Sequence, residues 1–160
     1  MFGTLSGELE VSAPASAVWE VYRSKQLAAV TEKGFADVLE KLELVEGDGF
    51  LGSVFHIVFR PGVAFPSFKE KVIKIDDEKR IKEALVVGGY LEMGFERYVI
   101  RFEIIEKDEK SCITKATIEY QLKEESAANA SLVKIDTLMA TMNIANSHVV
   151  ANSPVLAKTN

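Results

Sequence analysis

The sequence has little of several residue types, and each shortage argues against a class of protein. Cys112 is the only cysteine among 160 residues, so no disulfide can form within the chain. The two histidines, His56 and His148, lie far apart and do not make a zinc site with one cysteine. No apolar run approaches the roughly 20 residues that cross a membrane. Because the N-terminus also lacks a signal-peptide pattern, we expect a reducing, cytoplasmic setting without a membrane partner.

Positively charged residues are dispersed and are outnumbered by acidic ones, 19 to 24. The formal net charge is −5 at pH 7, with lysines and arginines scattered along the chain. Nucleic-acid binding draws its affinity from cationic surface, so we expect no nucleic-acid partner. Hydrophobic residues make up 48% of the chain, which suffices for the core of one domain. We predict a single domain over residues 1–150 and a C-terminal tail over 151–160, in a monomer or homodimer.

The spacing of apolar residues predicts an α+β fold. A first strand ends at Val11, and two short helices should follow, the second from Lys25 to about Glu32. From about Leu39, six segments read as strands, and the turns between them are too short for crossover helices, so neighbours should be antiparallel. A helical pattern returns over about 127–150. We expect a curved seven-stranded antiparallel sheet wrapped around the long C-terminal helix, with a cavity for an apolar ligand between them.

One glycine motif suggests a nucleotide site, but its context does not. Gly47, Gly49 and Gly52 form a G-x-G-x-x-G pattern. A dinucleotide site needs a helix after the glycine turn, whereas the stretch SVFHIVF that follows reads as a strand. A phosphate-binding P-loop is excluded as well, because no Gly-Lys-Ser/Thr follows. We interpret the motif as a hairpin loop whose glycines permit positive φ angles.

Five stretches of the chain resemble the Bet v 1 family of plant pathogenesis-related class 10 proteins, and in particular its norcoclaurine-synthase branch. They are ELEVSAPASAVWEVYRS, EKLELVEGDG, FPSFKEKV, KRIKEALVVGGYLEMG and KSCITKATIEYQLK. The resemblance extends over roughly Gly7 to Val150. It implies the helix-grip fold of that family and a binding cavity for a small hydrophobic alkaloid, and we expect no metal and no cofactor.

The resemblance also implies site residues. Norcoclaurine synthases carry a tyrosine, a glutamate, a lysine and an aspartate in the pocket, and the lysine is the central acid/base. The glutamate falls on Glu70 and the lysine on Lys82, whereas Phe68 and Ile100 stand where the family has its tyrosine and its aspartate. These two replacements weaken the prediction of a dopamine condensation and leave a glutamate–lysine pair.

The alternation of side chains along a strand gives independent support for the glutamate–lysine pair. Phe68, Glu70 and Val72 share one face of a strand, and Lys82 lies on the next strand after a short turn. Glu70 and Lys82 can therefore be neighbours inside the cavity. The alternative is two exposed charges on a hairpin surface, which would contribute little to stability.

The pair and the resemblance favour an alkaloid-pathway isomerase that needs no cofactor. Such an enzyme, of the neopinone-to-codeinone type in morphinan biosynthesis, moves a β,γ double bond into conjugation with a ketone. The reaction needs a proton shuttle, assigned to Glu70, and a proton donor or dienolate stabiliser, assigned to Lys82. The alternatives are a non-catalytic carrier of plant hormones or alkaloids and a Pictet–Spengler condensing enzyme.

Further residues are expected to contact the ligand. Tyr98 matches a pocket tyrosine of the family, and the other predicted contacts are Phe68, Ile57, Val72, Tyr90, Ile100, Met142, Leu138, Leu39 and Phe65. Three additional candidates for an acid or a base are Glu96, His56 and Arg97. The alternation of side chains along a strand turns His56 outward, and Arg97 points inward only if a β-bulge precedes it. On the last helix we expect Lys134, Asp136 and Thr141 to lie off the apolar stripe.

Overall fold

The computed structural model describes residues 1–62 and 66–152. Within these ranges the chain forms seven strands, three α-helices and two 3₁₀ helices. Along the chain they are β1 (Phe2–Val11), α1 (Ala15–Arg23), α2 (Gln26–Gly34), β2 (Leu39–Glu46), β3 (Val54–Phe59), β4 (Ser67–Asp76), β5 (Ile81–Gly88), a first 3₁₀ helix (Tyr90–Met93), β6 (Phe95–Asp108), β7 (Ser111–Leu122), a second 3₁₀ helix (Glu124–Leu132) and α3 (Asp136–Asn152).

The seven strands form one curved antiparallel sheet in the order β1-β7-β6-β5-β4-β3-β2. Strands β2 to β7 pair with their neighbours in sequence, because each connection is short, while β1 pairs with β7 at the other end. Helix α3 packs against β1, β7 and both short helices. The predicted α+β fold, a seven-stranded sheet with two short helices and a C-terminal helix, is confirmed.

Alternation along the strands directs apolar side chains to one side of the sheet. In β7 every second residue is buried, from Cys112 to Leu122, and these side chains join α1 and α3 in the larger core. Full burial of such side chains contributes roughly 1.5–3 kcal/mol each relative to exposure. A smaller core lies further along the sheet and is built on Leu39, Phe55, Ile57 and Val72. Members of both cores line a gap between the sheet and the helices.

The C-terminal helical region differs from the prediction. The pattern over about 127–150 predicted one helix, but the chain forms the second 3₁₀ helix, then extended backbone at Val133, and then α3. Helix α3 continues through residues 151 and 152, which the sequence had assigned to the tail. The remainder of the predicted tail, 153–160, lies outside the described residues. No helix in the described ranges has both the length and the apolar character needed to cross a bilayer.

The glycine motif connects β2 to β3, as the hairpin interpretation predicted. Gly47, Gly49 and Gly52 all have positive φ angles, of 90°, 98° and 86°. The backbone N–H of Gly49 donates to the Ser53 hydroxyl at 2.8 Å, which closes the loop on itself. A strand follows, so the loop has no helix N-terminus to bind a phosphate.

Candidate functional site

A cavity of about 640 Å³ lies between the concave face of the sheet and helices α2 and α3. Strands β2 to β7 supply its walls, and its lining is mostly apolar. The structure places most predicted ligand contacts in this lining, namely Leu39, Ile57, Phe68, Val72, Tyr90, Tyr98, Ile100 and Leu138. Phe65 lies outside the described residues.

Glu70 lies on the inward face of β4 and lines the cavity. Burial raises the pKa of its carboxyl group, and the positive charge of Lys82 opposes that shift only in part. Among the described residues, no side chain or backbone group forms a hydrogen bond or an ion pair with this carboxyl group. Glu70 is therefore a carboxyl group in apolar surroundings that is free to interact with a ligand.

Lys82 lies on β5 and is only 7% exposed. Its ammonium group donates a hydrogen bond of 2.9 Å to the backbone carbonyl oxygen of Tyr22 in α1. Burial lowers the pKa of Lys82 to about 8; Glu70 opposes this shift, and the charge of Arg23 adds to it. Lys82 can therefore gain or lose a proton near neutral pH, which an exposed lysine cannot do.

Glu70 and Lys82 share the cavity but do not stand directly opposite each other. Glu70 is paired with Val86, and Lys82 is paired with Ile75. The pair Val72–Ala84 lies between them on the same face. The two groups interact electrostatically without a direct ion pair, so the cavity keeps space between a carboxyl group and an ammonium group.

Aromatic rings form the wall beside Glu70. The ring of Tyr90 stacks on that of Tyr98 with centroids 4.6 Å apart, and Phe68 meets Tyr90 edge-on at 5.2 Å. Burial and the charge of Glu70 raise the pKa of Tyr90 to about 12, and burial also raises the pKa of Tyr98. Both phenols stay protonated at neutral pH, and the hydroxyl group of Tyr98 can donate a hydrogen bond to a ligand.

Helix α3 presents only part of the predicted side to the cavity, because Leu138 lines it and Met142 does not. Met142 is fully buried in the larger core and is absent from the lining, because its side of α3 packs against the sheet. The adjacent Thr141 is buried and lines the cavity instead. Lys134 and Asp136 also line the cavity while remaining exposed, so they lie at its mouth. The sequence interpretation missed these polar residues because it assumed that only the apolar stripe of the helix meets the ligand.

The three additional acid or base candidates lie outside the cavity. Glu96 and Arg97 are exposed, and an irregularity between Phe95 and Arg97 puts Phe95 rather than Glu96 in the core. His56 is half-buried away from the cavity lining, with its Nδ1 atom 3.9 Å from the Glu43 carboxylate. Of the predicted acid or base residues, these placements leave Glu70 and Lys82 in the cavity wall.

Two buried threonine hydroxyl groups in the lining form hydrogen bonds within their own helices. Thr31 donates to the Leu27 carbonyl oxygen at 2.6 Å, and Thr141 donates to that of Thr137 at 2.9 Å. Both oxygens therefore present only acceptor lone pairs to the cavity. Within the described ranges, no group of three or more histidine, cysteine, aspartate or glutamate side chains is arranged to hold a metal ion.

Comparisons with known proteins agree with this fold and this cavity. A model of the "Pathogenesis-related protein Bet v 1 family" matches residues 1–152. Norbelladine synthase of Narcissus pseudonarcissus is 43% identical over 151 residues, which is 93% of each chain. S-norcoclaurine synthase 2 of Papaver somniferum is 37% identical over 145 residues, or 89% of this chain, which spans only 63% of that enzyme.

A solved structure extends the similarity to three dimensions. Norcoclaurine synthase of Thalictrum flavum, in complex with dopamine and hydroxybenzaldehyde, superimposes with a TM-score of 0.88 at 30% identity. The superposition covers 96% of this chain and 89% of that one. The fold of this chain is therefore the fold of the norcoclaurine synthases.

The predicted double-bond isomerase is wrong. The similar proteins are named as synthases of norbelladine and norcoclaurine, and the solved relative is in complex with an amine and an aldehyde. The assignment to morphinan biosynthesis rested on the same interpretation and has no support in these similarities. A glutamate–lysine pair alone could not distinguish the two reactions, because each of them needs an acid and a base.

Proposed function

The chain belongs to the Bet v 1 family of pathogenesis-related proteins, and from this premise we propose that it is an enzyme that condenses an amine with an aldehyde inside its cavity. Its similarity to norbelladine and norcoclaurine synthases supports this proposal. The norcoclaurine synthase of known structure is in complex with dopamine, an amine, and hydroxybenzaldehyde, an aldehyde. We propose a condensation of the Pictet–Spengler type, between an aromatic amine and an aromatic aldehyde.

The single observation that supports this chemistry most is the pair Glu70 and Lys82 on one wall of an apolar cavity. An amine enters as its ammonium ion and must lose a proton before its nitrogen can attack the aldehyde carbon. Glu70 is assigned this step, because burial raises the pKa of its carboxyl group and makes it a stronger base than an exposed glutamate. Glu70 then returns the proton to solvent through the mouth of the cavity.

Lys82 is assigned the proton transfers that follow. Attack of the nitrogen gives a carbinolamine, whose hydroxyl group needs a proton to leave as water. The Lys82 ammonium, with a pKa of about 8, supplies that proton. The products of this step are an iminium ion, a water molecule and a neutral Lys82 amine, and the carboxylate of Glu70 stabilises the iminium charge.

Ring closure would complete the cycle. A carbon of the aromatic ring attacks the iminium carbon, and the neutral Lys82 amine removes the ring proton, which restores both aromaticity and the ammonium ion. Phe68 and Ile100 stand where the norcoclaurine synthases have a tyrosine and an aspartate. In this chain, ring closure therefore depends on Glu70 and Lys82.

The size and lining of the cavity suit two small aromatic substrates. A volume of about 640 Å³ lies within the usual range for small-molecule pockets. Phe68, Tyr90 and Tyr98 offer ring faces and edges for stacking. We propose no cofactor, because every proton in the sequence of steps is supplied or received by Glu70, Lys82 or water, and the cytoplasmic setting remains a prediction from the sequence.

The proposal is tested by incubating the protein with dopamine and 4-hydroxybenzaldehyde and measuring the condensed product by liquid chromatography and mass spectrometry. Borohydride quenching separates the two products of equal mass, because it reduces an open imine and leaves the ring-closed amine unchanged. We expect product formation above the buffer rate and its loss in Lys82→Met. A rate equal to buffer, with both substrates returned unchanged although they bind, would identify the protein as a carrier.

A further inference from the structure

We propose that Asp77, on the outer surface in the turn between β4 and β5, is a positioning residue for Lys82 because it holds the end of α1 against this hairpin and neutralises Arg23. The inference rests on the proposed function in one respect, namely that Lys82 carries out the proton transfers. Asp77 does not line the cavity, and the sequence gives no sign of its importance.

Two side chains of α1 converge on the same oxygen of Asp77. The indole nitrogen of Trp19 donates to Asp77 Oδ1 at 2.9 Å, and Arg23 Nε donates to the same atom at 2.8 Å. Trp19 is buried, and Arg23 also lies over the ring of Phe50 with its guanidinium carbon 5.4 Å from the centroid. Asp77 thus connects the last two turns of α1 to the tip of the β4–β5 hairpin.

Lys82 connects the same two elements from the inside. Its ammonium donates to the carbonyl of Tyr22, which lies between Trp19 and Arg23 in α1. The hairpin and the end of α1 are therefore joined at two places, by Asp77 on the surface and by Lys82 in the cavity. A displacement of α1 at the outer connection would move the carbonyl that orients the ammonium at the inner one.

Charge supports the same assignment. The positive charge of Arg23 lowers the pKa of Lys82, and hydrogen bonds from Arg23 and Trp19 lower the pKa of Asp77 and keep it ionised. Because the Asp77 carboxylate bonds to Arg23 and carries the opposite charge, we expect its removal to strengthen the effect of Arg23 on Lys82. An exposed ion pair of this kind contributes little to stability, so its effect on Lys82 is the consequence that an experiment can isolate.

Other ionisable groups face Lys82, and these residues must be left unchanged in all variants of the test. Glu70 on β4 interacts with it directly, and Tyr90 and Tyr98 share the cavity wall. Lys134 and Asp136 lie at the mouth beside α3. The residue paired with Lys82 on β6 is Phe102, which does not titrate.

The experiment measures the titration of Lys82 directly, by nuclear magnetic resonance of the ¹³Cε atoms of labelled lysine, with the signal assigned by its loss in Lys82→Arg. Asp77→Asn keeps the shape of the side chain and removes its charge, whereas Arg23→Gln removes the opposite charge. We expect the Lys82 titration to move to lower pH in Asp77→Asn and to higher pH in Arg23→Gln, by roughly half a pH unit each, as for one partly screened charge. The double variant should return close to the wild type.

Asp108→Asn is the matched control. Asp108 also lies at a hairpin turn and accepts a backbone N–H, but it contacts neither α1 nor the cavity. Its removal should leave the Lys82 titration unchanged. An unchanged Lys82 titration in Asp77→Asn, or shifts of Asp77→Asn and Arg23→Gln in the same direction, would overturn the inference.

This readout separates the inference from the proposed function. If the titration shifts as expected while the wild type does not condense an amine with an aldehyde, the positioning role stands and the proposed reaction fails. If the wild type is active, the basic limb of its pH–rate profile should move with the Lys82 titration in each variant. If the variants shift the Lys82 titration but leave the pH–rate profile unchanged, Lys82 does not carry out the proton transfers.

Discussion

The ammonium group of Lys82 donates a hydrogen bond of 2.9 Å to the carbonyl oxygen of Tyr22, the residue before the last in α1. The last carbonyl groups of a helix have no partner within it, so Lys82 satisfies one of them. The negative end of the helix dipole favours the charged ammonium, whereas burial disfavours it more strongly and lowers the pKa to about 8. The same contact thus helps to close the fold and holds an acid at a fixed place in the cavity.

The stability of the protein should depend on pH through Lys82. Below pH 8 the folded and unfolded states both bind the proton, and between about 8 and 10.5 the unfolded state binds more, so the free energy of unfolding rises with pH. The rise should be about 3 kcal/mol, and Lys82→Met should lack it. Urea denaturation of both proteins at pH 7 and pH 10.5 measures the difference. Equal changes with pH in both proteins would show that Lys82 has an ordinary pKa in the folded state.

Glu70→Gln should reduce turnover and preserve substrate binding. Glutamine keeps the size of the side chain but cannot accept the proton of the substrate ammonium, so we expect a decrease of roughly 100-fold or more in kcat. Binding of dopamine, measured by calorimetry, should change much less. Glu96→Gln is the matched control, since Glu96 is exposed and lies outside the cavity. Turnover in Glu70→Gln close to that of the wild type would remove Glu70 from the mechanism.

Thr141→Val should weaken the binding of phenolic ligands selectively. The Thr141 hydroxyl donates to the Thr137 carbonyl and can only accept from a ligand, so a phenol can bind it and a methoxy group cannot. We expect the Kd of a phenolic ligand to rise roughly fivefold, which corresponds to one hydrogen bond of about 1 kcal/mol. The matching methoxy compound should show no change. A parallel loss of both ligands would indicate a packing effect instead.

Two alanine substitutions in the glycine loop should lower the free energy of unfolding by different amounts. Gly47 and Gly52 both have φ near +90°, so each substitution strains the backbone by about 1 kcal/mol or more. A Cβ atom at Gly47 would lie 2.8 Å from Cα of Ser53, whereas a Cβ at Gly52 meets nothing within 4 Å. Gly47→Ala should therefore lower the free energy of unfolding by at least about 1 kcal/mol more than Gly52→Ala. Similar melting temperatures for both variants would contradict this.

Periodicity was sufficient to predict the seven-stranded sheet and the two short helices, but not the division of the C-terminal helical region. Alternation in β4 placed Glu70 on one face with Phe68 and Val72, and the resemblance to the norcoclaurine synthases favoured the cavity side for Glu70 and Lys82. The contacts of α3 could not be predicted in this way. Met142 and Thr141 are adjacent, and which of them meets the cavity depends on how the helix is rotated against β1 and β7.

The types of residue in the cavity were not sufficient to identify the reaction. Glu70 and Lys82 provide an acid and a base, which serve many proton transfers, and the choice among them came from similarity to synthases. Asp77 was missed for a different reason. Its connection to Lys82 passes through Trp19, Arg23 and the Tyr22 carbonyl, and contacts between residues distant in sequence leave no local pattern.

The extra residue in β4 between Val72 and Lys74 has a consequence for the charge of the cavity. Val72 pairs with Ala84 and Lys74 with Glu83, so two β4 residues face one on β5, and Ile75 rather than Lys74 turns inward. Pairing of the same strand without this irregularity would place Lys74 opposite Lys82, in the position of Ile75, and bring a second ammonium ion next to Lys82. The charge inside the cavity is thus controlled by the regularity of strand pairing as well as by residue identity.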